Sequence, residues 1–159
     1  SEWGARALGN RSILANPRDT GIVRTLNKMI KGRDFWMPFA PSILSEDAGR
    51  YLANLKGIDA AYMSVAFDAT VEARRDLPAA MHPYDHTIRP QVVYREWNPD
   101  YHQVISHFRD LTGIGALLNT SFNLHGEPNV LTPDDALHTM EGSDLQYLVL
   151  GDYLLRKRR

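Results

Sequence analysis

The stretch from Thr112 to Val130, TGIGALLNTSFNLHGEPNV, most narrows what this chain can become. An apolar run, Ile114 to Leu118, leads directly into Asn119, Thr120, Ser121, Phe122 and Asn123, and then into a turn built on Gly126 and Pro128. The apolar run reads as a buried strand. It ends in small hydroxyl and amide side chains, so it delivers hydrogen-bond donors and acceptors to one edge of a sheet. Open α/β sheets bind ligands at such strand ends. No helix or plain hairpin requires Asn-Thr-Ser-x-Asn. The residues also suit an Asn/Ser-rich turn with no ligand, and the stretch by itself leaves both readings open.

A second segment adds weight to the first. Gly4, Ala5, Arg6, Ala7, Leu8, Gly9, Asn10, Arg11 and Ser12 interleave two arginines and a serine with glycines, just ahead of a short apolar run. A guanidinium is a planar fork of donors that fits phosphate or carboxylate oxygens. Glycine lets backbone N–H groups come close to an anion. No Gly-Lys-Ser/Thr follows, so this is not a Walker loop, and Gly4 and Gly9 are too far apart for a dinucleotide fingerprint. A third segment places Lys31, Arg33 and Asp34 before Phe35-Trp36-Met37-Pro38-Phe39. Its cations suit an anion, or equally the C-terminus of a preceding helix. A fourth, His82-Pro83-Tyr84-Asp85-His86-Thr87-Ile88-Arg89, contributes another arginine.

The remaining sequence bounds the class. A chain of 159 residues, 43% hydrophobic and 23% charged, forms one domain with its own core. A net charge of −1 argues against nucleic acid or an anionic membrane as the partner. The basic run Arg156 to Arg159 reads as a solvated terminus. The absence of cysteine excludes disulfides, zinc-thiolate sites and a thiol nucleophile, and fits a cytoplasmic protein. No apolar run approaches the roughly 20 residues of a membrane span. The first motif starts within four residues of Ser1, so a fragment of a longer protein is expected.

Strands are expected at Arg11 to Asn16, Tyr62 to Phe67 and Ile88 to Tyr94, and Pro38 to Leu44 is expected to be extended, since Pro38 and Pro41 forbid helix interior there. Helices are expected from Pro17 to about Lys31, from Ser45 to about Leu55, from Asn98-Pro99 to Leu111, and from Thr132-Pro133 to Glu141. Thr70 to Pro78 fits helix or loop. Leu145 to Lys157 carries two short strands, or one bent near Gly151-Asp152. The elements alternate without a strict βαβ rhythm. The expected fold is α/β (α+β): a single domain over 1–159, with a mixed, twisted sheet packed with helices.

No nucleophile–base pair has a recognisable spacing, and Ser121 sits in no Gly-x-Ser-x-Gly elbow. His82 and His86 flank Pro83 and cannot form a regular helical pair. His102 and His107 point to different faces of their helix. No metal site is expected from them.

RALGNRSILANPR, KGRDFWMPFAPSIL and LLNTSFNLHGEP occur in order over nearly the whole chain. Together they resemble the C-terminal region of the large O-carbamoyltransferases of nodulation, cephamycin and tobramycin type. The resemblance implies a YrdC-like domain that follows an N-terminal Kae1-like domain, the latter matched nowhere here. It implies ATP and carbamoyl phosphate as substrates, magnesium arriving with ATP, and carbamoyl adenylate as the product handed on. Arg6, Arg11, Lys31, Arg33 and Arg89 would then neutralise phosphates, and Asn119, Ser121 and Asn123 would orient the carbamoyl group. Two positions depart from the family pattern. Met37 stands where an arginine is usual, and His86 where a glycine is usual. The other reading is a catalytically silent nucleotide- or phosphate-binding or structural module.

Overall fold

The computed structural model describes residues 7–28, 37–53 and 57–158. Four strands make the central sheet: β1 (Ser12–Ala15), β2 (Ala40–Leu44), β5 (Gln91–Val93) and β6 (Ala116–Ser121), in the order β1-β6-β2-β5. β6 is antiparallel to both β1 and β2, whereas β2 and β5 are parallel. Strands β1, β2 and β5 therefore run one way and β6 the other. A mixed sheet in a single α/β domain is what the sequence predicts.

The register sorts the side chains between two faces, since successive residues of a strand alternate. Leu14, Leu44, Val93 and Leu117 share one face and pack against Tyr101, Ile105 and Phe108 of α4 (Pro99–Thr112). Ile105 is fully buried there, which stabilises the contact by about 1.5–3 kcal/mol. On the opposite face Ile43, Val92 and Ala116 join Tyr51 of α2 (Ala48–Tyr51), Ala73 of α3 (Val71–Asp76), and Phe67 and Ile88. Ile13 and Leu118 join Leu26 of α1 (Thr20–Leu26), Ala136 and Met140 of α5 (Pro133–Glu141), and Leu148. Helices thus cover both faces of the sheet.

The helix ends follow their capping residues. Asn98 accepts from the Tyr101 N–H at the start of α4, and Gly113 closes it in the left-handed conformation at φ 75°. Thr132 and Asp135 form a reciprocal capping box on α5. α1 begins at Thr20 rather than at Pro17, because the Asp19 side chain takes the Gly21 N–H.

Three expectations are corrected. The helix foreseen to Leu55 is a 3-10 turn, Ser45–Asp47, followed by α2, which ends at Tyr51. Leu52 is already extended and bridges Ala69. The strand foreseen over Tyr62 to Phe67 contracts to β3 (Phe67–Asp68), paired with β4 (Thr87–Ile88). Ile88 to Tyr94 is not one strand. Pro90, which has no N–H to donate, divides β4 from β5. Thr70 to Pro78 resolves as α3. The C-terminal segment is a hairpin, β7 (Tyr147–Leu150) and β8 (Tyr153–Arg156), turning at Gly151-Asp152.

Candidate functional site

β6 ends at Ser121, opposite Ser12 at the start of β1, and Asn119 pairs with Ala40 at the start of β2. Gln91 opens β5 opposite Ser42. The carboxyl end of β6 and the amino ends of β1, β2 and β5 therefore meet at one edge of the sheet. Each sequence motif enters or leaves a strand at this edge. The Gly9–Arg11 segment precedes β1, Met37–Phe39 precedes β2, Arg89 precedes β5, and Asn119–Asn123 completes β6.

A buried polar cluster anchors this edge. Asn119, Ser42 and Gln91 are almost wholly inaccessible. The Asn119 Nδ2 lies 2.9 Å from each of three acceptors, the Ala7 carbonyl, Ser42 Oγ and Gln91 Oε1. Ser42 Oγ donates to Gln91 Oε1 at 2.7 Å. The Ala7 carbonyl can only accept, which fixes the orientation of the Asn119 amide. Asn119 Oδ1 is buried with no partner among the described residues.

The glycine-rich segment is clamped over the same face. Gly9 N–H donates to Ser12 Oγ at 3.0 Å, and Asn98 Nδ2 donates to the Leu8 carbonyl at 3.1 Å. Gly9 has φ 113° and lies flat on the Tyr101 ring; a Cβ there would stand 2.5 Å from the ring carbons. Glycine is required on both counts.

The loop after β6 is held from within. Ser121 Oγ donates to Asn123 Oδ1 at 2.6 Å, and Asn123 Nδ2 reaches the carbonyls of Leu124 and Glu127. Arg11 donates to the Val130 carbonyl at 3.0 Å, fastening that loop to β1. Arg89 is half-buried at the mouth of β5. Of the predicted site residues, Arg11, Arg89, Asn119, Ser121 and Asn123 thus gather at one sheet edge. Arg6, Lys31 and Arg33 lie outside the described residues.

Met37 and His86, the two departures from the family pattern, line one groove. It has a volume of about 340 Å³ and is shared with Thr20, Val23, Met81 and His82. His86 keeps a left-handed backbone at φ 58° and is exposed. The loop therefore retains a glycine-like conformation and has room for the ring. His102 is buried and bonds Glu46 at 3.0 Å, while His107 is exposed, on another face of α4. His125, inside the Asn119 to Pro128 motif, is also exposed.

Sequence reasoning missed Ser42 and Gln91, which stand alone among apolar residues and look like ordinary strand positions. It also missed Asp76, a buried carboxylate bound by Arg18, Arg50 and Arg75. No sequence spacing signals that cluster.

The family described as Carbamoyltransferase C-terminus matches residues 1–157. The chain is 44% identical over 159 residues to nodulation protein NolNO of Sinorhizobium fredii, covering 99% of this chain and 23% of that protein. It is 42% identical to nodulation protein NolO of Bradyrhizobium diazoefficiens, covering 99% and 29%. It is 31% identical to the 3'-hydroxymethylcephem-O-carbamoyltransferase of Streptomyces clavuligerus, covering 98% and 29%. The chain spans about a quarter of the length of the curated relatives it matches. With three motifs at one sheet edge and a match over nearly its full length, the chain belongs to the carbamoyltransferase C-terminus family.

Proposed function

We propose that this chain is the carbamoyl-activating part of an O-carbamoyltransferase, binding carbamoyl phosphate and ATP at the edge where β6 ends. Water releases phosphate from carbamoyl phosphate. A carbamate oxygen then attacks the α-phosphate of ATP, pyrophosphate leaves, and carbamoyl adenylate forms. A neighbouring amino-terminal, Kae1-like domain passes the carbamoyl group to a hydroxyl, releasing AMP.

One observation supports this reading most. Motifs up to 112 positions apart meet at one sheet edge, as the Ala7–Asn119 bond records. Such a reaction needs oxyanions held in line and neutralised, not a protein nucleophile. Arg89 is suited to clamp a phosphate, and the family resemblance gives Arg6, Lys31 and Arg33 the same role. Ser121 and Asn123 offer a hydroxyl and an amide for the planar carbamoyl group. The Asn119 Oδ1, buried just beneath this edge, has no partner among the described residues. Arg11 is at least partly engaged with Val130 and supports the loop. Magnesium would come with ATP, held chiefly by its phosphates.

The test is calorimetric titration of the chain with ATP and with carbamoyl phosphate, followed by pyrophosphate release when both are present. Binding of both, with release that requires carbamoyl phosphate, is the expected result. Binding of neither overturns the reading, and binding without release reduces the chain to a silent phosphate-binding module.

A further inference from the structure

Asp76 is completely buried, and both of its oxygens are bound by arginines from three separate elements. Arg75 chelates it with Nε at 3.0 Å and an NH2 at 3.1 Å. Arg18, from the turn after β1, reaches Oδ1 at 2.6 Å, and Arg50 of α2 reaches Oδ2 at 2.9 Å. One carboxylate thus faces three guanidinium groups, and although Glu72 on the same helix also acts on Arg75, the cluster keeps a net positive charge. The arginine side chains keep 50%, 35% and 63% of their surface in solvent. Arg50 also donates to the Gly113 carbonyl. Each arginine makes fewer hydrogen bonds among the described residues than its five N–H groups allow.

The position is as informative as the charge. Arg18 lies just past the carboxyl end of β1, and Arg50 lies in the helix that follows the carboxyl end of β2. Gly113 precedes the start of β6. The cluster therefore sits beyond the sheet end opposite the motif edge. Ligands of sheets with parallel strands commonly bind at carboxyl ends. Asp76 holds the three forks before any ligand arrives, so binding an anion there orders little that is not already ordered.

We propose that Arg18, Arg50 and Arg75, organised by Asp76, form a second anion site that takes a phosphate dianion, either inorganic phosphate or a phosphate monoester. A carboxylate presents only two oxygens; a phosphate presents three to the forks and carries more charge to meet the cluster's positive excess. The site is separate from the one proposed at the β6 end.

The experiment is titration with inorganic phosphate, and in a second arm with methyl phosphate, at constant ionic strength. It follows the Nε–Hε resonances of Arg18 and Arg75 by NMR and the affinity by calorimetry. Both resonances are expected to shift saturably, in wild type and in R89A alike. R18A and R75A should each weaken this binding about tenfold, while R95A, on the exposed surface, should not change it. If R18A fails to fold, R18K keeps the charge without the fork and should still weaken binding. A response to inorganic phosphate alone marks a free-phosphate site; a response to both arms marks a site open to monoesters. Resonances that stay fixed, or that move equally with chloride, overturn the proposal. A response lost in R89A overturns it too, because the phosphate would then occupy only the β6-end site.

Discussion

The Asn119 side-chain nitrogen stands 2.9 Å from the Ala7 carbonyl, a contact between residues 112 positions apart. The same nitrogen holds Ser42 and Gln91. One amide therefore binds the glycine-rich segment, β2 and β5 to β6. Asn119→Ala should cost roughly 2–3 kcal/mol, because it leaves buried acceptors without their donor. Urea denaturation will measure it, and an unchanged midpoint would show the contact to be incidental.

Gly9→Ala should do comparable damage by another route. The new methyl group must displace the Tyr101 ring, and the backbone must leave a conformation that side chains disfavour. A loss of about 2–3 kcal/mol is expected. Tyr101 fluorescence and thermal unfolding together will report it. Gly9→Ala with wild-type stability would mean that the segment does not rest on Tyr101.

His86→Gly should stabilise the protein by up to about 1 kcal/mol. The residue sits at φ 58°, where glycine is at ease and an L-side chain is not. Loss of stability on this change would show that the imidazole makes a contact worth more than the strain.

Arg75, together with Arg18, holds the Asp76 carboxyl at about 2, well below the usual carboxylate value and against burial, which pushes it up. A carboxyl depressed on folding contributes stability that is complete above about pH 4. That contribution is lost as pH falls through about 2. It is on the order of 1–2 kcal/mol once the exposure of the arginines is allowed for. Asp76→Asn should remove it at pH 7 and cost more, roughly 3 kcal/mol, because three arginines are then left facing one another. The variant's stability should also change less between pH 4 and pH 2 than that of the wild type. An identical acid profile in both proteins would refute this assignment.

Arg89→Ala should bind carbamoyl phosphate about ten- to a hundredfold more weakly while keeping its fold, since one charge-assisted contact is worth roughly 1.5–3 kcal/mol. Arg156→Ala, on the exposed hairpin, is the control and should be silent. Equal losses in both would mean that binding is diffuse electrostatics.

Where the residues act locally, the sequence could be read. The caps of α4 and α5 are spelled out by Asn98-Pro99 and Thr132-Pro133-Asp134-Asp135, and β6 announces itself by its apolar run. Each motif of the sheet edge was legible too, because its own residues lie together along the chain, although the motifs themselves lie far apart. Where partners are distant, the sequence was silent. The α2 helix stops early because Leu52 bridges Ala69, and Asp76 draws its arginines from 58 and 26 positions away as well as from next door. Asn119 was legible as a polar residue at a strand end but not as a buried clamp. That role depends on Ser42 and Gln91 pairing across β2 and β5, which no local pattern encodes.

The central position of β6 sets an order on synthesis. β6 separates β1 from β2 in the sheet, yet it is made after both. A nascent chain ending before Ala116 can pair β2 with β5 but cannot attach β1. Assembly of the motif edge must therefore wait for Asn119 to leave the ribosome. Its formation relies on closing long loops, a slow step in folding.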